Sequence, residues 1–319
     1  MTTAIRSDGS GIDPVSPRRS SYDAILATSE TVAWTVDEVF RDRGFDATQS
    51  FVPASWVRTD TLAFLDEHEQ RVLNHCRAFS YVHLLGNFEE FAPPHVGGLL
   101  ERDWHDDRTR LRALLRFADE EMKHQQLLRR AELELERSCG HPFGRYFDDE
   151  KRQAVALTAT ILGYPPLPRF LIVLALEWGT QRHYVESIRD RADGYGDPLY
   201  VDILKAHWIE EAQHVKIDVL EIERLARRMR PESLVATFDD VVALGSIVDA
   251  AFSGQAMHEI ATLEYVTGRR FNGAETTRLH GTLHRSLGAI LAGVGLSHPS
   301  FAAFARDLSA DGAAMLGIR

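Results

Sequence analysis

A five-residue pattern occurs twice in this chain. Glu120-Glu121-Met122-Lys123-His124 returns ninety positions later as Glu210-Glu211-Ala212-Gln213-His214. Each copy sets a Glu and a His three residues apart, Glu121 with His124 and Glu211 with His214. On a helix such side chains share a face, about one turn apart. A carboxylate and an imidazole so placed can bind one metal ion, and two copies facing each other can hold a pair of ions. Chance alone supplies about one Glu-x-x-His in a chain of this composition. What the two copies mean therefore depends on the elements that carry them.

Breakers divide the middle of the chain into four long segments. The first runs from near Thr61 to Pro93-Pro94 and Gly97-Gly98, the second from near Asp103 to Gly140-His141-Pro142. The third opens at Gly163-Tyr164-Pro165-Pro166-Leu167-Pro168 and ends at Asp193-Gly194-Tyr195-Gly196-Asp197-Pro198; the fourth runs on to Pro231. Inside them Gly and Pro are nearly absent, Gly86 and Gly179 excepted, and helix formers dominate. Segments of about 25–35 residues joined by shorter loops predict an all-α chain built on a helix bundle. The bundle is expected over residues 61–230, inside one helical domain spanning 22–319. Further helices are expected over 233–267 and 274–309, broken at Gly268 and Gly273. Residues 1–21 are polar and rich in Ser, Gly and Pro, with no apolar stretch to act as a signal peptide, and read as a disordered tail. Trp34, Phe40, Phe45, Phe51 and Trp56 predict a packed lead-in.

The patterning of each segment says which face the acidic groups occupy. In the second, Leu114, Phe117, Glu121, His124 and Leu128 form one stripe, so the pair sits in the middle of an apolar face. Glu120 and Lys123 fall on the neighbouring stripe, expected nearer solvent. In the fourth, Leu204, His207, Glu211, His214, Asp218 and Glu221 align, an unusual run of polar groups beside Ile203, Ile209, Val215 and Ile217. In the third, Glu177 follows Leu171-Ile172-Val173-Leu174-Ala175-Leu176, where a lone charge costs several kcal/mol unless it is paired or binds a metal. The first segment offers Glu89 or Glu90; its apolar face points closer to Glu89, and Glu90 stays open as the alternative. Four carboxylates on four helices, with a His three residues after two of them, complete the set for a dinuclear site. His280, His284, His183, Cys76 and Cys139 lack a supporting pattern.

The bulk numbers narrow the class. Net charge is −11, which argues against nucleic acid or an anionic membrane as partner. Two cysteines without metal or redox spacing read as a reduced chain, placing it in the cytoplasm.

The fourth segment carries one further signal. His207-Trp208-Ile209-Glu210-Glu211-Ala212-Gln213-His214 reads His-x-x-x-Glu-x-x-His. With the two Glu-x-x-His pairs, this resembles the ferritin-like di-iron oxygenases, and among them the p-aminobenzoate (arylamine) N-oxygenase family, over roughly residues 75–220. In that family a third His joins one iron, giving a site of four Glu and three His. The resemblance implies a ferritin-like four-helix bundle in which Glu89, Glu121, His124, Glu177, His207, Glu211 and His214 hold two iron ions. It implies dioxygen as co-substrate, oxygen transfer to the nitrogen of an amine or aryl amine, and no catalytic residue beyond the metal ligands. Glu and neutral His also suit iron–manganese and dimanganese pairs. An external electron donor or reductase is required, since no flavin or nicotinamide fingerprint is present. C–H hydroxylation or desaturation of a small organic substrate would use the same ligands. A non-catalytic ferritin-like iron-binding protein is the third reading; it leaves unexplained the helices after Pro231, which could cap a pocket or form a homodimer interface.

Overall fold

Side-chain caps fix where the long helices start. Asp66 forms a capping box with Glu69, Asp107 accepts from the Thr109 amide, and Asp197 accepts from Leu199 and Tyr200. Gly140 and Gly268 end two of these helices at φ 66° and 71°, the left-handed conformation in which a glycine carries no Cβ penalty. The computed structural model describes residues 20–105, 107–147, 150–189 and 196–319, and no strand occurs among them.

In chain order the helices are α1 (Tyr22–Val32), α2 (Val36–Phe40), α3 (Ala54–Val57), α4 (Glu67–Glu89), α5 (Ala92–Asp103), α6 (Arg108–Cys139) and α7 (Glu150–Leu162). There follow α8 (Pro166–Tyr184), α9 (Pro198–Ala226), α10 (Pro231–Thr267), α11 (Gly273–Gly288), α12 (Val294–Leu296), α13 (Pro299–Leu308) and α14 (Ala310–Met315). The four segments expected from sequence are α4, α6, α8 and α9. Helix α4 packs along α6, α6 against α9, α9 along α8, and α10 lies across both α4 and α8. The protein is therefore all-α. No helix of the described residues is long and apolar enough to cross a membrane. Of the tail expected over 1–21, residues 1–19 lie outside the described residues, and Ser21 caps α1.

Three boundaries differ from expectation. Pro93-Pro94 starts α5 instead of opening a loop, because a proline in the first turn gives up an amide that has no intrahelical partner anyway. Helix α8 stops at Tyr184 and continues as a π-turn over Val185–Arg189. The stretch expected over 274–309 is interrupted by a π-turn at Ala289–Gly293. There the chain presses on α8: a Cβ added to Gly295 would sit 1.8 Å from the Ala175 carbonyl oxygen, and one added to Gly179 2.6 Å from that of Leu291.

Two buried ion pairs lock the helices together. Arg110 on α6 grips Glu221 on α9 with two parallel bonds, Nε to Oε1 at 2.6 Å and Nη2 to Oε2 at 2.7 Å; the Tyr22 hydroxyl donates to the same carboxylate. Arg77 on α4 donates to Glu259 on α10 at 2.8 Å. The lead-in packs as expected, with Phe40, Phe45, Phe51 and Trp56 buried.

Candidate metal centre

Four helices deliver the seven residues singled out in the sequence. Glu89 comes from the last turn of α4, Glu121 and His124 from the middle of α6, Glu177 from α8, and His207, Glu211 and His214 from one face of α9. All are buried except Glu89, which is half-buried. Glu121, His124, Glu211 and His214 each offer a ligand atom within 4.8 Å of the others, and so do Glu89, His124 and His207. His214 Nδ1 lies 2.9 Å from Glu121 Oε1 and 3.0 Å from Glu211 Oε1. His124 Nδ1 lies 3.3 Å from Glu211 Oε1, and His207 Nε2 2.8 Å from Glu89 Oε1. Glu211 thus stands between all three imidazoles. Glu177 falls outside those close groups but lines the same cavity as Glu89, Glu121, His207 and Glu211. Glu90 turns away to Arg129, at 2.9 Å, so of the two first-segment candidates it is Glu89 that meets the cluster.

The electrostatics are those of a tightly coupled group of buried carboxylates and imidazoles that could hold a metal ion. Burial works against charge on His124 and His214, yet the surrounding carboxylates outweigh it and hold both imidazoles well above their ordinary range. Burial likewise pushes Glu211 up, but the charges of His214 and His207 win and hold it well below. Glu177 goes the other way: burial, then the neighbouring Asp218 and Glu211, raise it well above the usual carboxylate range. Burial also raises Glu89, against the pull of His207. The cluster in effect gathers protons where positive charge is needed. Several of its atoms have no hydrogen-bond partner among the described residues: both oxygens of Glu177, Glu89 Oε2, Glu121 Oε2 and His124 Nδ1. Buried, orphaned oxygen and nitrogen donors without a thiolate fit two hard or borderline divalent ions.

The structure corrects one expectation here. Glu120 does not face solvent: it is 1% exposed, and Glu210, its counterpart, is fully buried. Each supports the other copy's histidine. Glu210 Oε2 lies 3.1 Å from His124 Nε2, and Glu120 Oε2 lies 3.1 Å from His214 Nε2. Each is anchored in turn, Glu210 by Lys123 and Glu120 by Arg116 and the Ser29 hydroxyl. A carboxylate behind a ligand histidine fixes its tautomer and raises its basicity; here it leaves Nδ1 of both rings turned inward. The periodicity of α6 hid this role because its partner is on α9, and only the repeated Glu-Glu step hints at it. Asp218, one turn beyond His214, is also wholly buried, and neither of its oxygens has a hydrogen-bond partner among the described residues. Glu221, the next of that stripe, is taken by Arg110.

Beside the cluster lies a cavity of about 40 Å³, lined also by Leu85, Phe88, Phe91, Phe117, Val173 and Leu176. Trp34, from the link between α1 and α2, stacks parallel to His124 with ring centres 6.0 Å apart, and the Lys123 ammonium lies 4.1 Å over the same indole. No protein-family model, curated protein or solved structure matches this chain.

Proposed function

We propose that this protein is a ferritin-like dinuclear non-haem iron oxygenase that activates dioxygen and transfers oxygen to the nitrogen of an amine or aryl amine. The observation that carries the reading is the third imidazole. His207 forms one close group with Glu89 and His124, and His124 in turn belongs to a second close group with Glu121, Glu211 and His214. Two ions bound there would have unlike ligand sets, as the His-x-x-x-Glu-x-x-His pattern implies. Iron, when bound, supplies the redox chemistry with dioxygen that no side chain can perform.

The chain's own residues do the rest. Glu210 and Glu120 hold His124 and His214 with Nδ1 inward. Lys123 and Arg116 balance those outer carboxylates, so the inner ones can neutralise the metal charge. The hydrocarbon wall of the cavity keeps water from the site, which strengthens every electrostatic contact inside it. An external reductase supplies electrons, and the helices beyond Pro231 offer a surface for a second copy. C–H hydroxylation is the second reading, favoured by the same hydrocarbon wall.

Metal analysis of protein purified from iron-supplemented cells is the test. The expected result is about two metal ions per chain; none would end the proposal. His207→Ala then separates the closer assignment from the broader one. It should lose metal at one position and lose arylamine turnover. A variant with full metal content and full turnover would show that His207 is no ligand.

A further inference from the structure

A second cavity abuts the one at the cluster. It measures about 20 Å³ and lies between α7, α8 and α10 and the Phe88–Phe91 turn. The two share four walls: Phe88, Phe91, Val173 and Leu176. Beyond that partition the second cavity is closed by hydrocarbon alone, Leu244 and Val248 among it, and the partly exposed Ile247 stands on its outer side. Among the described residues no charged side chain and no hydroxyl lines it. In the first cavity Thr180 is the one hydroxyl among the described lining residues, and it already donates to the Glu177 carbonyl at 2.9 Å.

Size and chemistry together select the occupant. A cavity needs roughly 10–15 Å³ to admit one water-sized sphere, so both are large enough for a small molecule. Water also needs two to four polar partners, and the second cavity offers none, so it stays dry. A substrate the size of an aryl amine fits neither the 20 Å³ space nor, without movement of its walls, the 40 Å³ cavity at the cluster. A small, neutral, apolar molecule fits the smaller space. An empty apolar space also costs stability in proportion to its volume, and this one abuts a buried centre.

We propose that the second cavity is a binding station for dioxygen, the antechamber of an apolar passage that runs from Ile247 on α10 through the Phe88–Phe91–Val173–Leu176 partition to the metal centre. This rests on the oxygenase reading for its purpose. It separates two routes: gas arrives between α8 and α10, and the larger organic substrate enters elsewhere.

The test uses dissolved dioxygen on metal-free protein, so it stands apart from iron loading. Methyl NMR under oxygen pressure reads paramagnetic relaxation, which falls steeply with distance from the gas. The methyls of the buried Leu244 and Val248 should relax several-fold faster than those of the buried Leu127 and Leu279, and the methyls of the partly buried Val173 and Leu176 several-fold faster than those of the partly buried Leu220 and Leu225; none of the four reference leucines lines either cavity. Equal enhancement at all eight overturns the station. Val248→Phe should fill the space and return Val173 and Leu176 to the background rate. In ferrous-loaded protein the same variant should slow the bimolecular reaction with dioxygen about tenfold at unchanged metal content. Ile247→Ala, which widens the outer side, should speed it; this second variant decides the matter if the phenylalanine is not tolerated. Rates within twofold of wild type in every folded variant overturn the passage even where the methyls respond. A chain that takes up no iron sinks the oxygenase reading instead, and the methyl data then still decide whether gas occupies the cavity.

Discussion

Exchanging Glu210 for Gln removes one negative charge and almost no volume. Glu210 sits fully buried between His124 Nε2, at 3.1 Å, and the Lys123 ammonium. The Gln carbonyl can still accept from the imidazole, so the ring keeps its orientation. What goes is the charge that raises the basicity of His124, and Lys123 keeps only a neutral partner. Losing such an outer carboxylate typically weakens metal affinity 10–100-fold, about 1.4–2.7 kcal/mol. The cross-pairing makes the prediction positional. Glu210→Gln should weaken the ion at the His124 end alone, and Glu120→Gln the ion at the His214 end alone. Anaerobic titration of the apoprotein with ferrous or manganous ion should then resolve one step at wild-type affinity and one weakened by that factor. In the double variant both steps weaken. Circular dichroism checks that the helices persist. If both variants keep wild-type affinity at both steps, or if either weakens both steps equally, the assignment of one outer carboxylate to each end is wrong.

Three other outcomes follow from geometry away from the centre. His75, His95 and His183 are buried, and burial lowers them to about 4, 3 and 3. The unfolded chain takes up their protons below about pH 6.5 while the fold refuses them, so stability should fall as pH drops from 6.5 toward 4. The loss is at most about 1.4 kcal/mol per pH unit for each histidine; neither ring nitrogen of His95 has a partner among the described residues, so His95→Leu should flatten the pH dependence of the urea midpoint. Arg110→Ala strands Glu221 inside the protein and should cost about 3–5 kcal/mol in urea unfolding; a loss under 1 kcal/mol would deny that pair its role between α6 and α9. Gly295→Ala puts a methyl against a backbone oxygen that no rotamer change can move, so it should cost about 1–3 kcal/mol or more and lower metal affinity by shifting Glu177, whereas Gly98→Ala, with open space around it, should do neither.

The members of the buried Glu/His cluster that obey helical periodicity are legible in the sequence alone. Glu121 and His124 fall on one stripe, His207, Glu211 and His214 on another, and Glu177 stands out because six apolar residues precede it. Glu89 was separable from Glu90 only by a weak apolar moment, since a residue in the last turn of α4 has little helix beyond it to define a face. Glu120 escaped because its environment is made by α9 and α1, and a stripe drawn on α6 contains neither. The helix boundaries failed at prolines and glycines, residues whose effect depends on position: Pro93-Pro94 opens a helix as readily as it ends one. The backbone contact of Gly295 with α8 leaves no pattern along the chain.

The first described helix bears on where the functional unit ends. Ser29 holds Glu120, Tyr22 holds Glu221, and Trp34 covers His124 and cradles Lys123. A chain trimmed to begin at Thr35 would retain every metal-ligand candidate and all four helices that bear them. It would nevertheless open the rear of two imidazoles to solvent and free the Arg110 partner from its tyrosine. The contacts that back the cluster therefore begin about forty-five residues upstream of the α4 helix that carries Glu89.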